Sequence, residues 1–233
     1  MDGAPRLAVH GAGRMGARVA AMAADAGMAL VAVVDRQQSG ALRLPRVGSL
    51  AGLPAVDVLI DFSLPDGAVA AAHWCGAHGV PLVSGTTGLH AAQWEALEQA
   101  AAKVPVLHAS NFSPGLNALR LLLPRLQQLL GTEAKVSLLD VHHVHKQDAP
   151  SGTALALRAS LGREDLPIES RREGEVVGDH SVRFELPHET LTLQHQAQDR
   201  DLFAAGALRA ARWLLQQPAG FYGPDQWLGS KGP

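Results

Sequence analysis

The chain has 233 residues, 47% of them apolar, with 20 basic and 22 acidic side chains and a formal charge of −2. This predicts one large or two small domains with a sizeable core and excludes a disordered chain. The balanced charge argues against a general nucleic-acid binder, and no apolar run of about eighteen residues is present to cross a membrane as a helix. The N-terminus lacks an apolar signal core, and the lone Cys75 cannot form an internal disulfide, so a reducing, cytoplasmic setting is expected. Cys75 itself reads as a small buried hydrophobe in an alanine-rich helix.

In chain order, "RLAVHG" predicts a strand. "RMGARVAAMAADAG" predicts a helix with an apolar face of Met15, Val19, Met22 and Ala26, ending at Gly27. Where the two meet, Gly11, Gly13 and Gly16 of "VHGAGRMG" fit G-x-G-x-x-G. The first glycine allows the tight turn, the second lets backbone approach a pyrophosphate, and the third lets helix and strand pack closely. The helix N-terminus then offers N–H groups and a positive dipole end. "ALVAVVD" is the pattern of a strand buried on both faces. It ends in Asp35, nineteen residues past Gly16, where an acid accepts from a ribose hydroxyl. Arg36 follows and suits a 2′-phosphate, so weak discrimination between NADH and NADPH is expected.

"VDVLIDFS", "VPLVSG" and "VPVLHAS" predict further strands, separated by helices over "DGAVAAAHWCGAHG" and "HAAQWEALEQAAAK". Trp94, Leu97 and Ala101 fall on one face of the latter. The alternation implies a doubly wound, parallel α/β sheet. Ligands of such a sheet sit beyond the carboxyl ends of its strands, where three polar loops begin at Asp61, Ser84 and Ser110. Gly85, Thr86 and Thr87 offer donors and hydroxyls near a nicotinamide or ribose. Asn111 suits a carboxamide, and Phe62 or Phe112 could line a cofactor. Each loop alone is ordinary turn chemistry; beside the glycine turn they outline a cofactor cleft.

Near residue 112 the pattern changes. "GLNALRLLLPRLQQLL" is apolar at Leu116, Leu119, Leu122, Leu123, Leu126 and Leu130, and Pro124 predicts a kink or break. "AKVSLLDVHH", "EVVGDHSVRFEL" and "ETLTLQHQA" read as strands, and "SGTALALRASL" as a short helix capped by Ser151 or Thr153. Together they suggest a second, α+β unit. "RDLFAAGALRAARWLLQQ" closes the chain with a helix whose face is Phe203, Ala207, Ala210 and Leu214.

The stretch "DVHHVHKQDAPSGTAL" admits three readings. His142, His143 and His145 with Asp140 or Asp148 could ligate zinc. On a strand, however, His142 and His143 point to opposite faces, helical H-E-x-x-H spacing is missing, and no cysteine partners are present, so no metal is expected. A plain polar loop is the second reading. In the third, histidine moves a proton, Lys146 faces a substrate carboxylate, and Ser151, Gly152 and Thr153 present N–H groups and hydroxyls to an anion at a helix N-terminus. Pro150 suits the start of that turn. Such a site fits a small dicarboxylate.

"HHVHKQDAPSGTA", together with "GAGRMG", "VLIDFSLPDG", "SGTTG", "NFSPGLN", "GDHSVRF", "LTLQHQAQDRDLFAAGALRAARWL" and "GFYGPDQWL" in that order, resembles the 4-hydroxy-tetrahydrodipicolinate (dihydrodipicolinate) reductase family over nearly the whole chain. The resemblance implies reduction of a cyclic dicarboxylate with NADH or NADPH on the diaminopimelate route to lysine, by a cytoplasmic homotetramer. It implies a Rossmann-type dinucleotide domain of residues 1–112 plus 203–233 and a smaller α+β domain of residues 113–202 for substrate binding and oligomerisation. In that scheme a hydride reaches a carbon conjugated with the ring imine, an acid protonates the adjacent carbon, and water loss precedes or accompanies reduction. Domain closure would exclude water.

By matching positions, His142 is the acid/base residue and Lys146 a proton donor or carboxylate partner. His143, Ser151, Gly152 and Thr153 bind substrate. Gly11, Ala12, Gly13, Arg14, Met15, Gly16, Asp35, Arg36, Gly85, Thr86, Thr87, Ser110, Asn111, Phe112 and Ser113 hold the cofactor, and Arg200 lies near the closed cleft. His145 has no role and is expected to be packed or on the surface. The chain departs from the family pattern in a glycine turn one residue shorter, in Asp140 where glutamate is common, and in a compressed 161–178 segment, which bears on the tetramer-forming sheet. Two alternatives differ in what they need. Another two-domain dehydrogenase, such as an aspartate dehydrogenase, needs the glycine turn but not the histidine–lysine–DAPSGT element. A non-catalytic dinucleotide-binding regulator should have lost both acid and anion turn.

Overall fold

The computed structural model describes residues 3–35 and 45–229; the expectation for Arg36 lies outside them. In chain order the elements are β1 (Arg6–His10), α1 (Arg14–Met22), β2 (Ala29–Val34), β3 (Arg46–Val47), β4 (Val58–Asp61), α2 (Pro65–His78), β5 (Leu82–Ser84), α3 (Ala91–Ala101), β6 (Pro105–His108), α4 (Pro114–Leu130), β7 (Lys135–His142), α5 (Gly152–Ser160), β8 (Ile168–Arg172), β9 (Asp179–Leu186), β10 (Glu189–Gln196), α6 (Asp201–Leu214), β11 (Gly220–Tyr222) and α7 (Pro224–Gly229), with a short 3₁₀ turn at Leu50–Gly52. The chain divides into two compact units, Met1–Phe112 with Phe203–Pro233, and Ser113–Leu202.

The first unit holds a seven-stranded sheet in the order β11-β6-β5-β4-β1-β2-β3, every pair parallel. Side chains alternate across a strand, so Leu7, Val9, Val58 and Ile60 enter one apolar cluster with residues of α1 and α6. Ala8, Leu59, Leu82 and Val106 enter another with residues of α2 and α3. The chain winds away from β1 in two directions, through β2 on one side and β4 on the other. That border is the switch point where ligands of doubly wound sheets sit.

Helix ends follow local chemistry. Pro65 opens α2 and Gly79 ends it at φ +69°, conformations suited to each residue. His90 and Gln93 cap α3 reciprocally. Three expectations are corrected. Helix α1 ends at Met22 and the chain reaches Gly27 (φ +68°) through turns. In α3 the buried face is Gln93, Ala96, Leu97, Ala100 and Ala101, while Trp94 is half-buried, edge-on to His108. Pro124 does not break α4, which runs from Pro114 to Leu130.

The second unit is a four-stranded sheet in the order β10-β9-β7-β8, with β7 antiparallel to β9 and parallel to β8. Leu116, Leu119 and Leu123 of α4 and Leu157 of α5 join Leu138, Val182 and Phe184 of the sheet in one core. Strand β8 falls inside the compressed 161–178 segment at residues where no strand was expected, and the strand expected from Glu175 begins only at Asp179.

Candidate active site

In the first unit the glycine turn joins β1 to α1. Gly11 has φ +88°, and a Cβ there would stand 2.7 Å from the Phe62 carbonyl oxygen. A Cβ on Gly16 would be 1.8 Å from the Gly11 carbonyl oxygen, whereas one on Gly13 would meet no protein atom within 4 Å. The turn is therefore tight underneath and open at Gly13. No side chain caps α1, which leaves its first N–H groups for an anion. Asp35 accepts from the Ala12 N–H at 3.1 Å. Gly11, Ala12, Gly13 and Asp35 line a cavity of about 720 Å³ with His10, Phe62, Ser63 and Asp66. The donor set fits a dinucleotide: a helix N-terminus for phosphates and an acid on the neighbouring strand for a ribose.

Beneath the strand ends lies Asp61, fully buried. It accepts from the hydroxyls of Ser63 (2.5 Å), Ser84 (3.0 Å) and Thr86 (2.7 Å), and His10 Nδ1 is 3.0 Å away. Burial alone would raise its carboxyl, but His10 and the hydroxyls hold it below the usual range. This network revises the loop expectations. The Thr86 hydroxyl is turned inward to Asp61, its N–H lies 3.4 Å from the Ser84 hydroxyl and its carbonyl 2.9 Å from His108 Nε2, while Thr87 is exposed. Ser110 is exposed and Asn111 half-buried. The Phe112 ring is core, edge-on to Phe62 and tilted against Trp227. Ser113 belongs to the second unit, where its hydroxyl caps α4 and meets His195 Nε2 at 2.9 Å.

In the second unit the strand period sets the site. Leu138, Asp140 and His142 share one face of β7, apolar at one end and polar at the other. His180 faces Asp140 across the antiparallel pairing. Asp140 is fully buried. It accepts from the Ser151 N–H (3.0 Å) and hydroxyl (2.8 Å) and the Ser170 hydroxyl (3.3 Å). His142 Nδ1 lies at 2.9 Å, His180 Nε2 at 3.4 Å and Arg172 Nη1 at 3.7 Å. Burial would raise this carboxyl too, but His142, His180 and Ser151 hold it far below the carboxylate range. Asp140, His142 and His180 have the donor types of a metal site, yet the carboxylate's acceptor positions are taken up by Ser151 and Ser170.

His142 is buried, and its Nε2 faces Gly178, 3.0 Å from where a Cβ would stand. His143, half-buried, has Nε2 3.3 Å from Arg200 Nη2. Burial and the Arg200 charge push it below the usual histidine value. His145 is exposed. Lys146 pairs with Asp148 at 2.8 Å. Arg172 donates to the carbonyls of Lys146 and Asp148, which fixes the loop carrying the lysine. Ser151, rather than Thr153, caps α5. The expectation for Ser151 is corrected: its N–H and hydroxyl both go to Asp140, leaving the α5 terminus to present Gly152 and Thr153. The sequence reading missed His180, Ser170, Arg172 and the pairing of Asp148 with Lys146. His180 was visible within "GDHSVRF", but only the register places it opposite Asp140.

The family profile described as dihydrodipicolinate reductase, N-terminus, matches residues 5–112, and that for the C-terminus matches residues 115–228. The chain belongs to the dihydrodipicolinate reductase family. Members make it an NAD(P)H-dependent oxidoreductase rather than a regulator. It is 46% identical over 227 residues to 4-hydroxy-tetrahydrodipicolinate reductase of Xanthomonas campestris pv. campestris (strain B100), covering 93% of this chain and 94% of that protein. With the Xylella fastidiosa (strain 9a5c) reductase it shares 42% over 232 residues, 95% and 97% of the two chains. A dipicolinate-bound dihydrodipicolinate reductase from Paenisporosarcina sp. TG-14 has the same fold, with TM-score 0.80 at 22% identity over 94% of this chain and 97% of that one. Aspartate dehydrogenase from Thermotoga maritima is more distant, with TM-score 0.59 and 13% identity over 90% and 96%.

Proposed function

We propose that this reductase converts 4-hydroxy-tetrahydrodipicolinate to tetrahydrodipicolinate with His142 as the acid. The observation that carries this is Asp140. One buried carboxylate holds the His142 ring at 2.9 Å and the Ser151 hydroxyl at 2.8 Å, so proton donor and anion turn share one anchor. When bound, NADH or NADPH supplies the hydride. Water leaves the hydroxylated carbon, and His142 protonates the ring carbon next to the one reduced. Lys146 and the Gly152–Thr153 terminus orient the two carboxylates, with His143 and Arg200 adding polar contacts. The first-unit residues Gly11–Gly16, Asp35, Gly85–Thr87, Ser110 and Asn111 bind the cofactor chiefly through backbone and polar edges. With an acid at position 35 and an arginine after it, NADH and NADPH affinities are expected within about two decades, the scale of one charged hydrogen bond. The family resemblance supports a cytoplasmic homotetramer, which light scattering tests.

His142→Ala should lower kcat by ~10²-fold or more, the usual loss for a general acid, with dinucleotide affinity unchanged. The assay follows NAD(P)H oxidation with freshly generated substrate, against oxaloacetate plus ammonia as control. Near-wild-type kcat in the variant removes His142 from this role; turnover only in the control removes the substrate.

A further inference from the structure

His10 ends β1 and immediately precedes the glycine turn. Its Nδ1 is 3.0 Å from Asp61 Oδ1, and the ring is 14% exposed. Asp61 is itself fixed by three hydroxyls, so it cannot rotate away. The ring nevertheless lines the 720 Å³ cavity beside Gly11–Gly13. Among the described residues lining that cavity, the other ionisable side chains are two acids, Asp35 just past β2 and Asp66 on α2. Asp61 on β4 adds a third negative charge behind the ring. Asp66 is partly engaged by Gln93 at 2.9 Å, and Asp35 takes up the Ala12 N–H. A dinucleotide brings two further negative charges, those of its diphosphate. Backbone N–H groups at α1 meet part of that charge, but the described lining has one basic side chain to meet the rest.

We propose that His10 is a cofactor-binding residue. Held by Asp61 through Nδ1, the imidazolium presents its Nε2–H to the diphosphate of the dinucleotide. The carboxylate fixes the ring orientation through Nδ1, and for a ring that donates from both nitrogens the phosphate is the second acceptor. Nothing else in the mechanism uses His10, and the inference rests on the reading that this cavity takes the dinucleotide.

The test is equilibrium binding of NADH to the full chain between pH 6 and 8.5, where the diphosphate does not titrate. The proteins compared are wild type, His10→Gln and His10→Ala. Glutamine can still donate to Asp61 and roughly fills the ring's space, but it carries no charge. In the wild type, affinity should fall by about tenfold from pH 6 to pH 8.5, the scale of one charge-assisted hydrogen bond. His10→Gln should bind about tenfold more weakly than wild type at pH 6 and equally at pH 8.5, with a flat profile. A His10→Gln profile that parallels the wild type overturns the proposal. If His10→Ala does not fold, the glutamine variant decides alone. Wild-type protein that does not bind NADH at all would instead overturn the reading of the cavity.

Discussion

Removing the charge from Asp140 without changing its shape isolates what that carboxylate does. In Asp140→Asn the Ser151 N–H and hydroxyl and the two histidines lose an anionic acceptor inside the fold. Breaking a buried ionic cluster at one partner costs about 3–5 kcal/mol, and urea unfolding at pH 7 should show a loss of that order. The pH dependence has a definite sign. Asp140 is held below its unfolded value of about 3.9, so its contribution is complete above that pH and disappears as pH falls below it. The stability gap between wild type and Asp140→Asn should therefore be largest from pH 5 upward and narrow below about pH 4. His108, His143 and His195, each pushed down with burial as the first cause, destabilise both proteins alike as pH drops below about 6.5. A gap that stays constant from pH 7 to pH 3 would mean that the charge of Asp140 does not matter. At this scale the sequence was half legible. Strand periodicity puts Asp140 beside His142, but His180, Ser170 and Arg172 reach the same carboxylate from strands 30 or more residues away. Local reading likewise could not tell that the Thr86, Ser113 and Ser151 hydroxyls face inward, because hydroxyl direction depends on partners brought by other strands.

The β1–turn–α1 element separates folding from binding at two glycines. A Cβ at position 13 meets no protein atom within 4 Å, and Gly13 has φ −66°, which any residue adopts. Gly13→Ala should keep wild-type stability within about 0.5 kcal/mol and lose dinucleotide affinity at least tenfold, because its methyl stands where the phosphates approach. A Cβ at position 16 would stand 1.8 Å from the Gly11 carbonyl oxygen. Gly16→Ala must therefore shift backbone, and it should lose both affinity and about 1–3 kcal/mol of stability, the range for overpacking. Urea midpoints and NADH titrations of the two variants check this, and equal stability losses would contradict it. Elements with a distinctive local pattern were the easy ones: the glycine turn and the buried strands. Helix α4 continued through Pro124 because eight leucines between Leu116 and Leu130, several of them in the core, outweigh one lost backbone hydrogen bond. Strand β8 was missed because "IESRR" carries one strong hydrophobe, and its place comes from parallel pairing with β7.

At the scale of the whole molecule, the two kinds of chemistry fall on separately cored units. The glycine turn and its apolar clusters belong to the first unit; His142, Lys146 and the α5 turn belong to the second. Alternation of strand and helix in the first half, then clustered strands, made this division legible, because a parallel sheet needs crossover helices and an antiparallel one does not. Ligands that contact different units should protect different amides. A ligand at 100 times its Kd stabilises what it binds by about 2.7 kcal/mol, roughly a hundredfold slower exchange for amides that open only when it leaves. With NADH alone, residue-resolved hydrogen exchange should slow at 11–17 and 84–87. Pyridine-2,6-dicarboxylate, a planar mimic of the substrate's two carboxylates, should slow exchange at 142–146 and 152–155. The Ser151 amide, already bonded to Asp140, should change less than the Gly152 amide, because its donor is occupied before any ligand arrives. If the dicarboxylate instead protects the glycine turn and leaves 152–155 untouched, the α5 terminus is not the carboxylate site, and the substrate roles of Gly152 and Thr153 fall with it.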